Sequence, residues 1–441
     1  MKKFLALVLA LVMVLGLVAC GEKAPAVEEL KGVTEDTILV GNTAGTTGAL
    51  ATIGGPFNIG IEAAFAAYNA EGGFNGKSVK LQHYDDGGVA TQSVTLTEQL
   101  IHEDEVFAIV GNFASNCVAA NLPIIKEANV PMVYAAAGNN ELLNEAAEGA
   151  DRGIFPVQPL NFTEGRMLIL RAFAPLANGG LGGTKVGVLT NTVEASQTIL
   201  KGIEAEAADL PAAQKDAITY QNVTSTDFSA AINALKNAGC DVVVVGVIGA
   251  DFTAALTAMA NANYYVPVLT SYNNANAGIL NDAATTILAE QYTDVLTNIP
   301  IYAQAWLDIT STEYFYNKAD SALLKGYEAL GLAQPGVGMP GFKEEYWVVA
   351  EKIFNYCTEQ GMDNAFAMSY DSYALAGYIA GDLFCQGLKE LQAQGKELTR
   401  ANYVDVLESK EYQVAMADTI SFANGMRSGV QSFALTMFYD A

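Results

Sequence analysis

The stretch FSAAINALKNAGCDVVVVGV (228–247) decides the fold. Residues 228–238 read as a helix. Residues 241–247 read as a strand, and an unbroken valine run suits a strand buried on both faces of a parallel sheet. Working outward, the same rhythm gives strands at 184–190, 217–223 and 266–270, with helices at 195–209 and 252–261 between them. An earlier block repeats it. Strands fall at 37–43, 78–84, 106–110 and 130–135. Helices fall at 56–71, at 92–103 and from Ser115 to Ala128. On the first of these helices Phe57, Ile61, Ala64, Phe65 and Tyr68 share one face. Strand and helix alternating at this spacing predict α/β architecture, each block a parallel sheet with helices on both faces. Two such blocks predict two similar lobes.

The rhythm breaks near Ile299. Helical patterns follow at 344–358, 370–390 and 399–408, and two strand-like runs, 414–422 and 430–439, are joined by the turn ANGMRSG. The glycines of NGGLGG (178–183) precede a strand instead of following one, which suits a turn and not a nucleotide loop.

The first residues, MKKFLALVLALVMVLGLVAC (1–20), carry two lysines, a short apolar run and a small residue before Cys20. That layout reads as a secretory signal over 1–19, and its ending resembles a bacterial lipobox, with Cys20 as the lipidated residue. Residues 20–36 then read as a flexible tether. The expected location is extracytoplasmic, anchored to the cell membrane as a lipoprotein. A formal charge of −25 disfavours nucleic acid and anionic headgroups as partners. Cys117, Cys240, Cys357 and Cys385 show no C-x-x-C spacing, and His83 and His102 are the only histidines. No metal or cofactor is implied. Cys357 and Cys385 could pair or remain buried thiols.

Catalysis is poorly supplied. G-x-S-x-G, H-E-x-x-H and Walker-type motifs are missing, and Asp85-Asp86 reads as turn and cap formers. Binding is better supplied, because ligands of open α/β sheets sit beyond the carboxyl ends of the strands. Loop 112–116 contains Ala114 and Ser115. Ser115 is placed to cap a helix whose free N–H groups could hold a carboxylate. Loop 135–139 offers the backbone of Ala136 and Gly138, or is a plain tight turn. Loop 246–251 ends in Asp251, which is either a helix cap or a carboxylate facing Ser115 across a cleft, suited to an ammonium group. Tyr272, after the last strand of the second block, is a further candidate.

Several stretches carry a family likeness: AYNAEGGFNGKSVKLQHYDD (67–86), FAIVGNFAS (107–115), LPIIKEANVPMVYAAAGNNEL (122–142), STDFSAAINALKNAGCDVVVVG (225–246) and RANYVDVLE (400–408). In order and spacing the chain resembles the extracellular solute-binding proteins of branched-chain amino-acid ABC transporters. The resemblance implies a type I periplasmic-binding fold, two lobes joined by three hinge strands. It implies a monomer that delivers a small ligand, an amino acid first, to a permease. By position Ser115 would bind the α-carboxylate, the Ala136 carbonyl would meet the ammonium, and Asp251 would be its acidic partner. Gly138 replaces a threonine that helps hold the ligand, and Ala195 stands about where a cleft tyrosine is found. Gly88 and Ala114 stand where some relatives have a disulfide. The segment around 312–345 is longer than the resemblance implies. Lobe one is then expected at 37–157 plus 274–412, and lobe two at 158–273 plus 413–441. The rival ligands are a short amide, a urea-like molecule or an aromatic acid. The rival class is a surface hydrolase, which the lack of a nucleophile–histidine arrangement opposes.

Overall fold

The computed structural model describes residues 30–274, 299–307 and 344–438. The signal, most of the tether, Cys20 and nearly all of the 312–345 segment lie outside them.

The first sheet is built from β1 (Thr37–Ala44), β2 (Ser78–Asp85), β3 (Ala108–Val110), β4 (Met132–Val133) and β5 (Ile154–Phe155), in the order β2-β1-β3-β4-β5. Every pairing is parallel. Its helices are α1 (Ala51–Ala70), α2 (Ala90–His102) and α3 (Ser115–Glu127). After β5 the chain enters α4 (Asn161–Phe173), then β6 (Val186–Asn191), α5 (Glu194–Ala207), the short α6 (Ala212–Lys215), β7 (Ile218–Val223), α7 (Ser229–Ala238), β8 (Val242–Val245), α8 (Ala250–Asn261) and β9 (Val268–Thr270). All four valines of β8 are buried, as a strand covered on both faces requires.

The strand β10 (Ile301–Ala305) pairs parallel with β9 and antiparallel with β13 (Ala434–Phe438), giving a second sheet ordered β13-β10-β9-β8-β6-β7. This shifts the lobe boundaries read from sequence. The second lobe keeps residues through β10, whereas the sequence reading returned the chain to lobe one at 274. Residues 301–305 alternate weakly, so they gave no strand signal. The boundary at 413 shifts as well. The expected strand 414–422 is a small hairpin of β11 (Glu411–Gln413) and β12 (Thr419–Ser421). Its far end docks on the first lobe, where Phe422 meets Phe155 edge-on at 4.9 Å. Only from about Val430, whose N–H donates to the Val157 carbonyl at 2.8 Å, does the chain return to the second sheet.

The first lobe is completed by α9 (Glu344–Glu359), α10 (Ala365–Tyr370), α11 (Ser372–Ala393) and α12 (Arg400–Leu407). Helix α11 crosses α1 at backbone contact distance. A Cβ added to Gly60 would lie 1.9 Å from the Ala374 carbonyl oxygen, and one on Gly377 would lie 1.8 Å from that of Phe57. Glycine is needed at both positions for this close approach. Cys117, Cys240, Cys357 and Cys385 are all buried free thiols.

Candidate functional site

The loops at the carboxyl ends of both sheets converge on one cavity of about 660 Å³. The first lobe contributes the turn after β3 and the loop after β4. The second contributes Ala195, Ile248 and Tyr272, and the crossing segments contribute Gln158 and Trp306. Of the residues read from sequence, Ala114, Ser115, Ala136, Gly138 and Tyr272 are thus brought together. Asp251 is not among the lining residues. It is the second residue of α8, and its carboxylate accepts from the Asn191 amide at 2.7 Å.

Ser115 opens α3 but is not the cap expected of it. The cap position is Ala114, held at φ 73° and ψ 133°, and no side chain caps this helix. The positive φ of Ala114 turns the chain sharply so that Ser115 and the first free N–H groups of α3 stand at the cavity. Strain of this kind, about 1–3 kcal/mol, persists where the surroundings hold it in place. Here the Ala114 N–H donates to the Ala136 carbonyl at 3.3 Å, and the Ala136 N–H donates to Asn112 at 2.7 Å. The Ala136 carbonyl therefore already has one partner. Asn139 ties the two loops again through its amide on the Ser115 carbonyl at 3.0 Å. Nearby, the Asn116 amide donates to the Gly88 carbonyl at 3.0 Å.

The walls are largely rings. Phe57 lies 5.2 Å from Phe113 and 5.7 Å from Tyr134; Phe113 reaches Tyr373 at 6.4 Å, and Tyr134 reaches Trp306 at 6.5 Å. The pairs are tilted or edge-to-face, as ring quadrupoles prefer, and they give the cavity a largely apolar wall. Among the described residues no charged side chain lines the cavity. An acid stands just behind it. Glu164 is fully buried and accepts from the Tyr272 N–H at 2.6 Å and the Ser271 hydroxyl at 2.8 Å. Burial pushes its carboxyl up to about 7, against those two hydrogen bonds. The Tyr272 hydroxyl donates to the Pro159 carbonyl at 2.9 Å, so the ring is fixed at both ends.

Asp85 and Asp86 act as turn formers, as read. Asp85 accepts from the N–H groups of Thr46, Thr47 and Gly87, and Asp86 accepts from that of Gly88. The sequence reading missed Tyr134, Asn161, Trp306 and Tyr373. Only Trp306, one of two tryptophans, carried any compositional signal.

Comparison with known proteins agrees with this fold. The model of a family described as periplasmic binding protein matches residues 37–332. A "Leu/Ile/Val-binding protein homolog 2" of Brucella abortus is 28% identical over 237 residues, covering 52% of this chain and 58% of that protein. An "Amino acid binding protein" of Pseudomonas aeruginosa is 23% identical over 211 residues, covering 47% of this chain and 53% of its own length. The chain thus spans little more than half the length of these relatives. Among solved structures, the branched-chain amino acid transporter substrate-binding protein LivJ of Streptococcus pneumoniae, in complex with isoleucine, superposes with a TM-score of 0.61. The identity is 15%, over 91% of this chain and all of that one. A fatty acid ABC transporter substrate-binding protein from Thermomonospora curvata gives 0.64 at 17% identity, over 92% and 89% of the two chains. At such identities the likeness is one of fold.

Proposed function

The chain belongs to the periplasmic binding protein family, and we propose that it is the solute receptor of an ABC importer, closing two lobes on a small carboxylate with an apolar or aromatic body. The observation that carries this reading is the interlobe cavity, with Ser115 at a helix N-terminus and rings on its walls. A carboxylate accepting from Ser115 and the α3 N–H groups gains roughly 1.5–3 kcal/mol per charge-assisted bond. Burial of the apolar body supplies more, so micromolar or tighter binding is expected. A ligand touching both lobes favours the closed arrangement, and that population shift presents the receptor to its permease.

Apolar α-amino acids are the first candidates, since relatives are named for leucine, isoleucine and valine. A second reading, a carboxylate without an ammonium group, is favoured by the place of Asp251 outside the cavity wall. Calorimetric titration with L-leucine and L-phenylalanine and with their des-amino counterparts, 4-methylpentanoate and 3-phenylpropionate, tests both. Binding of none of the four would sink the carboxylate reading.

The receptor is proposed to be lipid-anchored through Cys20, which lies outside the described residues, and to work outside the cytoplasm as a monomer. Among the described residues no helix is long and apolar enough to cross a membrane. Cys20→Ser should release the protein from the membrane fraction or block its processing.

A further inference from the structure

Asn161 and Gly138 fit one another in a way that a simple turn does not explain. The backbone of Gly138 has no conformation that demands glycine, but a Cβ there would lie 2.4 Å from Asn161 Oδ1 and 2.5 Å from its Cγ. The missing side chain at 138 is what gives the Asn161 amide its place. The Asn161 N–H donates to the Gly138 carbonyl at 3.0 Å, which fixes the residue against the loop that also carries Ala136. Asparagine at a helix start is a favoured N-cap. Here the cap position of α4 is Leu160 and no side-chain cap is made. Asn161 is 2% exposed, lines the cavity, and its Oδ1 has no hydrogen-bond partner. A buried acceptor left without a partner is costly and uncommon, so a partner is to be sought.

We infer that Asn161 is the specificity-determining residue of the cavity, its Oδ1 accepting a hydrogen bond from a donor on the carbon next to the ligand carboxylate. The inference rests on the carboxylate reading above. The position of the donor follows from the loops. Gly138 lies under Asn161, and its neighbour Asn139 is bonded to the Ser115 carbonyl at 3.0 Å, so the amide and Ser115 share one end of the cavity. Two groups supply such a donor, an α-hydroxyl and an α-ammonium.

The test uses the full chain and matched ligands: L-leucine, (S)-2-hydroxy-4-methylpentanoate and 4-methylpentanoate, and the corresponding phenylalanine, phenyllactate and phenylpropionate. Wild type should bind at least one donor-bearing member of a set about tenfold more tightly than the member lacking it. The preferred member identifies the donor. Asn161→Ala should bring the ratio within about threefold. Gly138→Ala, whose new Cβ meets the Asn161 side chain first, should displace the amide and lose the same selectivity, and it serves if Asn161→Ala fails to fold. A ratio that survives in a folded variant overturns the inference while leaving the carboxylate reading intact, as does a wild type without preference. A wild type that binds none of the six overturns both.

Discussion

Asn191 donates its side-chain amide to the Asp251 carboxylate across 2.7 Å, and this bond occupies the one acid that the family likeness sets against a ligand ammonium. Asn191 ends β6 and Asp251 is the second residue of α8, so the pair joins two elements of the second lobe beside the cavity and not at its wall. A half-exposed carboxylate held by a neutral amide contributes little at a distance in water. Asp251→Asn should therefore change L-leucine affinity by less than about threefold, the scale of a screened surface interaction. Calorimetry on both proteins measures it. A loss beyond about tenfold would mean that Asp251 reaches the ligand on closure.

Glu164 sets a pH dependence. Its folded pKa is raised to about 7 by burial, while an unfolded glutamate titrates near 4.3. Between those values the folded chain holds a proton that the unfolded chain releases. Stability from this group is therefore full below about 4.3 and is lost as pH rises to about 7, by up to roughly 4 kcal/mol. Glu164→Gln keeps an acceptor for the Tyr272 N–H and removes the titration. Urea unfolding of both proteins at pH 5 and pH 8 should show the variant losing less stability across the interval. Parallel losses would rule the assignment out.

The parallel sheets were legible because their signal is local: the valines of β8 and the helix before them need no partner to be read. That these loops share one cavity was legible because the loops at the carboxyl ends of such sheets lie together, and Ser115, Ala136, Gly138 and Tyr272 all line it. What escaped depends on distant packing. β10 is a strand because β9 and β13 pair with it, and its own residues scarcely alternate. Phe57 reads as a core residue of α1, yet it also faces the cavity. Asn161 matters only because residue 138, in another lobe, lacks a side chain. The turn ANGMRSG hides Arg427, which is 1% exposed and packs its guanidinium 4.5 Å from the Phe155 ring centre.

That arginine leads to a stability prediction. Arg427 donates to Glu408, and Glu408 also accepts from Arg152 at 2.6 Å. Glu408 is thus the single carboxylate between a buried cation and a half-exposed one. Removing it leaves Arg427 buried with carbonyl oxygens alone, a loss on the order of 3–5 kcal/mol. Arg427→Met fills similar volume and leaves Glu408 its bond to Arg152, so it should cost less than Glu408→Ala. Urea midpoints rank the two, and the opposite order would show that ring stacking, and not charge compensation, holds this corner.

Ser115 gives the sharpest separation of binding from folding. An N-cap serine would stabilise its helix, and its loss would cost about 1 kcal/mol whatever the ligand. In this chain Ala114 holds the cap position and α3 has no side-chain cap. The Ser115 hydroxyl therefore contributes little to helix stability while lining the cavity. Ser115→Ala should leave the urea midpoint almost unchanged and weaken carboxylate binding about tenfold or more, as expected for one hydrogen bond to a charged group. The loss should be equal for acids with and without an α-donor, because Ser115 is assigned to the carboxylate and Asn161 to its neighbour. Titration and unfolding of the same preparation decide it. A variant that is less stable but binds as well as wild type would return Ser115 to the role of a helix cap.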